Sequence, residues 1–226
     1  MSKNQSPNET YPIGVFTSTF TGNELFLADH IIQGQKILPG MAYLEISRAA
    51  VANSIELADD QMIVLEDSVF VQAILVSQKR EVQAKVYPGA FGEFGVEVMT
   101  SQGVHFQTKA LILTKEEVRE TYKIAETLPI AELQETCTKE GPSKAKFYEN
   151  MRKGEVFLGP SHQGIETIHI GDNTALVNLS LPTSSQRNMA MDPGMLDSII
   201  QGGIALASNP EAVSYTHLTL PTTPYV

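Results

Sequence analysis

The chain has 226 residues, 42% of them hydrophobic and 19% charged, enough for one large globular domain or two small ones with a sizeable core. Its formal net charge of -10 argues against nucleic-acid binding, because the chain would repel phosphates. No apolar run approaches the roughly 18 residues that span a bilayer, and the single cysteine, Cys137, excludes an intrachain disulfide and a cysteine-based zinc site and suits a reducing cytoplasm.

The first ten residues are polar, lack the apolar core of a signal peptide, and read as a disordered lead-in. IGVFTSTF, 13–20, is rich in β-formers, and ELFLAD then runs into HIIQGQKILPG, 30–40. MAYLEISRAAVANS, 41–54, has only Glu45 and Arg48 as charges, so it is a helix wrapped by other structure. Four β-like runs follow, at 62–76, 80–89, 94–101 and 104–114; the second sets Val82, Ala84 and Val86 against polar neighbours. One buried helix followed by antiparallel-looking strands fits a sheet curled around a central helix.

Residues 115–142 are charged and helix-spaced, broken by Gly141-Pro142, and read as a linker. A helix at about 143–152 begins the next unit. Strands at 155–171 and 174–182 follow, and then a second largely apolar helix, 192–208. Asp192 suits its N-cap and Pro193 its first helical position. The order strand, helix, strands is therefore begun twice, with the second copy cut short. The tail 213–226 is rich in threonine and proline, fits neither pattern and resembles translated adaptor sequence, so it reads as non-native.

Chemistry concentrates in three places. His30, followed by Gly34, Pro39 and Gly40, sits in a sharply bent loop. It is either a general base or a loop histidine that only hydrogen-bonds. The amides of Gly40 and Met41, at the start of the buried helix, suit a carbonyl oxygen that gains negative charge. Asp197 and Gln201 are four apart and share one helix face. With Met195, Leu196, Ile199 and Ile200 around it, Asp197 should resist ionisation and have a raised pKa, as a proton donor would. The plainer alternative is a polar-face aspartate. The third place is LGPSHQG, 158–164.

HIIQGQKILPG fits the HxxxGxxxxPG motif of polyketide synthase dehydratase domains, LDSIIQ resembles their Asp-x3-Gln/His motif, and LGPSHQG resembles their YGPxF motif, all in the family's order. The resemblance covers about 11–212 and is nearest to bacterial modular synthases, including those with a free-standing acyltransferase. It implies an α+β double hotdog: two antiparallel sheets, each wrapped around its own long helix, with the second hotdog incomplete. The halves would be 11–114 and 143–212, with the site between them. By resemblance His30 removes a C2 proton from a 3-hydroxyacyl thioester, Asp197 protonates the departing hydroxyl, Gln201 assists it, and the Gly40 amide holds the thioester carbonyl. Gly34 and Pro39 support the first motif, and Leu158, Gly159, Pro160 and His162 become substrate-tunnel candidates.

The same resemblance implies no intrinsic cofactor and no metal, a substrate carried on the phosphopantetheine of acyl carrier protein, and neighbouring synthase domains as partners. It also allows a homodimer and implies a cytoplasmic setting without membrane or nucleic acid. The chain departs from the family at Leu158, usually tyrosine, and at His162, usually phenylalanine. His162 reads as a packing residue in preference to a polar wall residue or an extra hydrogen bonder, while His105 and His169 read as structural. The alternatives are an inactive or repurposed hotdog module that binds acyl chains, and a related double-bond isomerase or cyclase. The presence of Pro39, Asp197 and Gln201 favours dehydration over these.

Overall fold

The computed structural model describes residues 11–124, 127–180 and 189–204. The lead-in, the end of the second long helix and the tail 213–226 lie outside them. In chain order the elements are β1 (Gly14–Phe20), α1 (Leu25–Ala28), β2 (His30–Ile32), β3 (Gln35–Lys36), α2 (Gly40–Ala52), β4 (Gln61–Phe70), β5 (Arg80–Pro88), β6 (Phe94–Thr100) and β7 (Gly103–Thr114). Then come α3 (Lys115–Tyr122), α4 (Ile130–Thr136), β8 (Lys139–Glu140), α5 (Lys144–Lys153), β9 (Val156–Leu158), a 3-10 turn (Pro160–His162), β10 (Ile165–Ile170), β11 (Ala175–Leu179) and α6 (Pro193–Ile204).

The chain folds as two compact units that do not follow chain order. One takes in residues up to 18, 46–70 and 81–124; the other takes in 19–45, 71–80 and the chain from 125 on. The first unit is built on a five-stranded antiparallel sheet in the order β1-β5-β6-β7-β4. Alternation turns Val82, Ala84 and Val86 of β5 inward, as their period-two spacing predicts. Ala84 and Val86, with Val96, Ala110 and the α2 residues Ala50 and Val51, form a buried cluster, and Ile46, Ile63 and Leu65 pack around it. The apolar run at 62–76 does not make one strand: β4 ends at Phe70 after a register shift between Glu66 and Val69. None of α2 is exposed, as its near-absence of charge predicts.

The second unit carries the sheets β3-β2-β9 and β11-β10-β8. Its core gathers Ile32 of β2, Phe147, Tyr148 and Met151 of α5, Val156 and Leu158 of β9, Ile165 and Ile168 of β10, and Ile204 of α6. The 155–171 run, read as one strand, is split by the 3-10 turn, because Gly159-Pro160 interrupts the ladder after Leu158. The span 115–142, read as a linker, holds α3, α4 and β8, and β8 pairs with β10 through His169 and Glu140. Asp192 caps α6 as expected, its Oδ1 accepting from the Met195 amide at 2.9 Å, with Pro193 at the first helical position. Among the described residues no helix is long and apolar enough to cross a membrane.

Candidate active site

His30 lies in a strand, not in a loop. β2 and β3 form a hairpin whose two turn residues, Gln33 and Gly34, both have positive φ, at 50° and 74°. That is the signature of a tight two-residue hairpin turn, and it explains the glycine four places after the histidine. Gly34 stands at the exposed tip, with nothing within 4 Å of where a Cβ would sit, so it shapes the hairpin and stays out of the site. Three residues of strand are too short to leave a periodicity, and their partner is β9, where His30 stands opposite Leu158. This pairing brings the first motif to the LGPSHQG segment.

The neighbouring Asp29 fastens that segment. Its carbonyl accepts from the Gly159 amide at 2.8 Å, and its Oδ2 accepts from the Ser161 amide at 2.8 Å. A Cβ on Gly159 would lie 2.3 Å from Asp29 Oδ1, so only glycine lets the carboxylate this close. In the sequence Asp29 has one signal, its place between His30 and the preceding apolar turn. Leu158 is buried in the core, whereas Pro160 is exposed at the start of the 3-10 turn. Pro39 is buried just before α2, which begins at Gly40.

Glu45 was read only as one of two charges on α2. Its carboxylate accepts from the amides of Ala190 and Met191 at 3.1 and 3.2 Å, and so fixes the chain just before α6. From α6, Asp197 and Gln201 project together, one turn apart. Gln201 Nε2 donates to Asp197 Oδ2 at 2.6 Å and to the His162 carbonyl at 3.2 Å. These two acceptors fix the amide's orientation, and Gln201 Oε1 is left buried without a partner among the described residues.

His162 is fully buried and its ring is hydrogen-bonded at both ends. Nε2 lies 3.0 Å from the Phe26 carbonyl and Nδ1 lies 3.3 Å from Asp197 Oδ2. The reading of His162 as simple packing is therefore corrected: its ring holds two polar partners. Its centroid is 5.1 Å from that of His30, with the planes tilted by 44°. His30 is 7% exposed, and its Nδ1 lies 2.9 Å from the Ile37 carbonyl. A carbonyl only accepts, so Nδ1 carries the proton and Nε2 keeps a lone pair.

Electrostatics separate the groups. Burial holds His30 below the ordinary histidine value; the Asp197 charge opposes this, and His162 reinforces it. Asp197 reverses the expectation of a raised pKa. Burial does push it up, but hydrogen bonds from His162 and Gln201 and the nearby histidines outweigh that and hold it below the ordinary aspartate value. The physical reason is helical geometry. Ile199 and Ile200, its apolar neighbours in sequence, turn outward at 51% and 42% exposure, while Asp197 faces His162 and Gln201.

The folded His30 gives up its proton below the unfolded value of about 6.5, so the unfolded chain binds more protons in that window. Its contribution is complete above about pH 6.5 and is lost as pH falls from there toward the folded value. Urea unfolding is expected to show lower stability at about pH 5.5 than at about pH 7.5, with part of that slope missing in His30→Phe. An unchanged slope would remove His30 as its source.

The same architecture recurs in known proteins. Residues 8–101 match the family described as polyketide synthase dehydratase domain, and residues 125–223 match polyketide synthase dehydratase N-terminal domain. A trans-AT polyketide synthase dehydratase domain from Brevibacillus brevis superposes with a TM-score of 0.76 at 31% identity, covering 85% of this chain and 73% of that one. The dehydratase domain from the CurF module of curacin polyketide synthase superposes at 0.76 with 19% identity, over 92% of this chain and 76% of that one, a likeness of fold alone. Polyketide synthase PksM of Bacillus subtilis strain 168 is 31% identical over 221 residues, 91% of this chain but 5% of that protein. PksN of the same organism is 33% identical over 214 residues, 91% of this chain and 4% of that protein. The chain thus spans about a twentieth of the length of these relatives, which are far larger synthases.

The fold is that of the hotdog dehydratases. The chain belongs to the polyketide synthase dehydratase domains, a family of hydro-lyases.

Proposed function

We propose that this domain eliminates water from a 3-hydroxyacyl thioester carried on the phosphopantetheine arm of acyl carrier protein, giving an α,β-unsaturated thioester. The observation that carries the reading is the state of His30: Nδ1–H is committed to the Ile37 carbonyl, so a neutral imidazole offers its Nε2 lone pair within the field of Asp197. Such an imidazole can take the C2 proton. The Asp197 carboxyl then serves the C3 hydroxyl, and the unpartnered Gln201 Oε1 is placed to accept from that hydroxyl. The start of α2 at Gly40 offers amide hydrogens and the positive end of a helix dipole to the thioester oxygen.

The reaction takes a proton from C2 and hydroxide from C3 with no net change of oxidation state, so the scheme needs no redox cofactor, and His30 and the Asp197 carboxyl carry its acid–base work without a metal. Carrier protein and adjoining synthase domains are the natural partners, since the relatives are large synthases. The test is mass spectrometry of a 3-hydroxyacyl chain on carrier protein incubated with the 226-residue chain. Loss of one water from the acyl chain supports the reading; its retention across several acyl chains overturns it.

A further inference from the structure

We infer that His162 and Asp197 share one proton, and that this pair, not Asp197 alone, is the store from which the departing hydroxyl is protonated. The inference rests on the dehydratase reading above and extends it to a positioning residue outside the acid–base couple of His30 and Asp197.

Phe26 O can only accept, so the facing His162 Nε2, at 3.0 Å, carries a hydrogen. The other nitrogen faces Asp197 Oδ2 at 3.3 Å. With no proton between them, two lone pairs would oppose each other inside the protein. With one, either His162 is an imidazolium beside a carboxylate or Asp197 is a carboxylic acid donating to a neutral ring. In both cases the pair holds one proton and is neutral overall. Gln201 Nε2 also donates to Oδ2, at 2.6 Å, so two donors converge on one carboxylate oxygen and favour the form with the proton on Nδ1. Asp197 Oδ1 is left for the substrate.

The backbone around the ring is held equally firmly. The His162 carbonyl accepts from Tyr148 Oη at 3.4 Å as well as from Gln201. Burial pushes Tyr148 up to about 12, so it stays a neutral donor. Among the described residues, His30 on β2 lies beside the pair, with Asp29 just ahead of it in the chain and Asp192 at the start of α6. Asp29 is occupied by the Ser161 amide and Asp192 by the Met195 amide.

The proton balance closes without a co-reactant. His30 Nε2 takes the C2 proton, the C2–H electrons form the double bond, and the C3–O bond breaks. The hydroxide leaves as water with the proton of the pair. What remains is a protonated His30, a neutral His162 and the Asp197 carboxylate. Return of one proton from His30 to the pair restores the resting state, and the two rings already lie 5.1 Å apart.

Two measurements test this. The first is 15N NMR of histidine-labelled chain, wild type and Asp197→Asn, across pH. The expected result is a protonated His162 Nδ1 at neutral pH in the wild type and a bare one in Asp197→Asn; a bare Nδ1 in the wild type beside an ionised Asp197, read from its 13C carboxyl shift, overturns the shared proton. The second is the rate of water loss against pH for wild type and His162→Phe, which installs the residue the family usually carries and so is expected to fold. We expect kcat to fall about tenfold or more with KM nearly unchanged, and the alkaline edge of the kcat profile, where the store empties, to move to lower pH. A His162→Phe domain with wild-type rate and profile overturns the role in turnover. If that variant does not fold, the NMR pair decides alone. A wild-type chain that shows the shared proton yet never loses water from substrate would sink the dehydratase reading while leaving the pair standing.

Discussion

Replacing His30 with phenylalanine is expected to lower the dehydration rate by about 10³-fold or more, the scale of a lost general base in a preorganised site. The side chain is 7% exposed, sits in register with Leu158, and commits Nδ1 to the Ile37 carbonyl. Phenylalanine fills the ring's volume beside His162 and removes both nitrogens. Alanine is the poorer test. For a loop histidine the change would leave the core untouched, but here it opens a cavity in a strand in addition to the lost donor to the Ile37 carbonyl that both changes share. That combination costs about 2–4 kcal/mol, large enough to confuse a loss of chemistry with a loss of fold. Single-turnover assays on carrier-bound substrate, with thermal melts alongside, separate the two. A phenylalanine variant that melts near the wild type yet keeps its rate would take His30 out of the reaction.

The long elements were legible because each carries its own signal. The burial of α2 followed from a fourteen-residue stretch, 41–54, with two charges, and the faces of β5 from Val82, Ala84 and Val86 at period two. Asp192-Pro193 marked the start of α6, and the four-residue spacing of Asp197 and Gln201 placed them side by side. What could not be read are the contacts made by short pieces far apart in sequence. β2 and β9 have three residues each, yet their pairing sets His30 beside the LGPSHQG segment. Asp29 gives no sequence sign that it will hold the Ser161 amide. The direction of the Asp197 shift was misjudged for a related reason. Apolar neighbours along the chain are not the environment of a helical side chain, because a helix turns consecutive side chains about 100° apart. The groups that set the charge of Asp197 come from β2, from the 3-10 turn and from one helical turn away.

That environment makes Asp197→Asn the second decisive change, with an expected fall in rate of about 10² to 10⁴-fold. Asparagine keeps the size of the side chain, and its amide oxygen can still accept from Gln201 Nε2. It cannot exchange a proton with the hydroxyl, and it carries no charge toward His30 or His162. The loss of charge has a separate signature. Asp197 raises the proton affinity of His30, against burial, which lowers it. Without the carboxylate, His30 should resist protonation more strongly. The acidic edge of the residual kcat/KM profile, where the base is lost by protonation, is therefore expected to move to lower pH in Asp197→Asn. A fall in rate with an unmoved acidic edge would mean that the acid acts without setting the charge of the base. An Asp197→Asn domain that turns over at the wild-type rate would show that water, and not this carboxyl, protonates the departing hydroxyl.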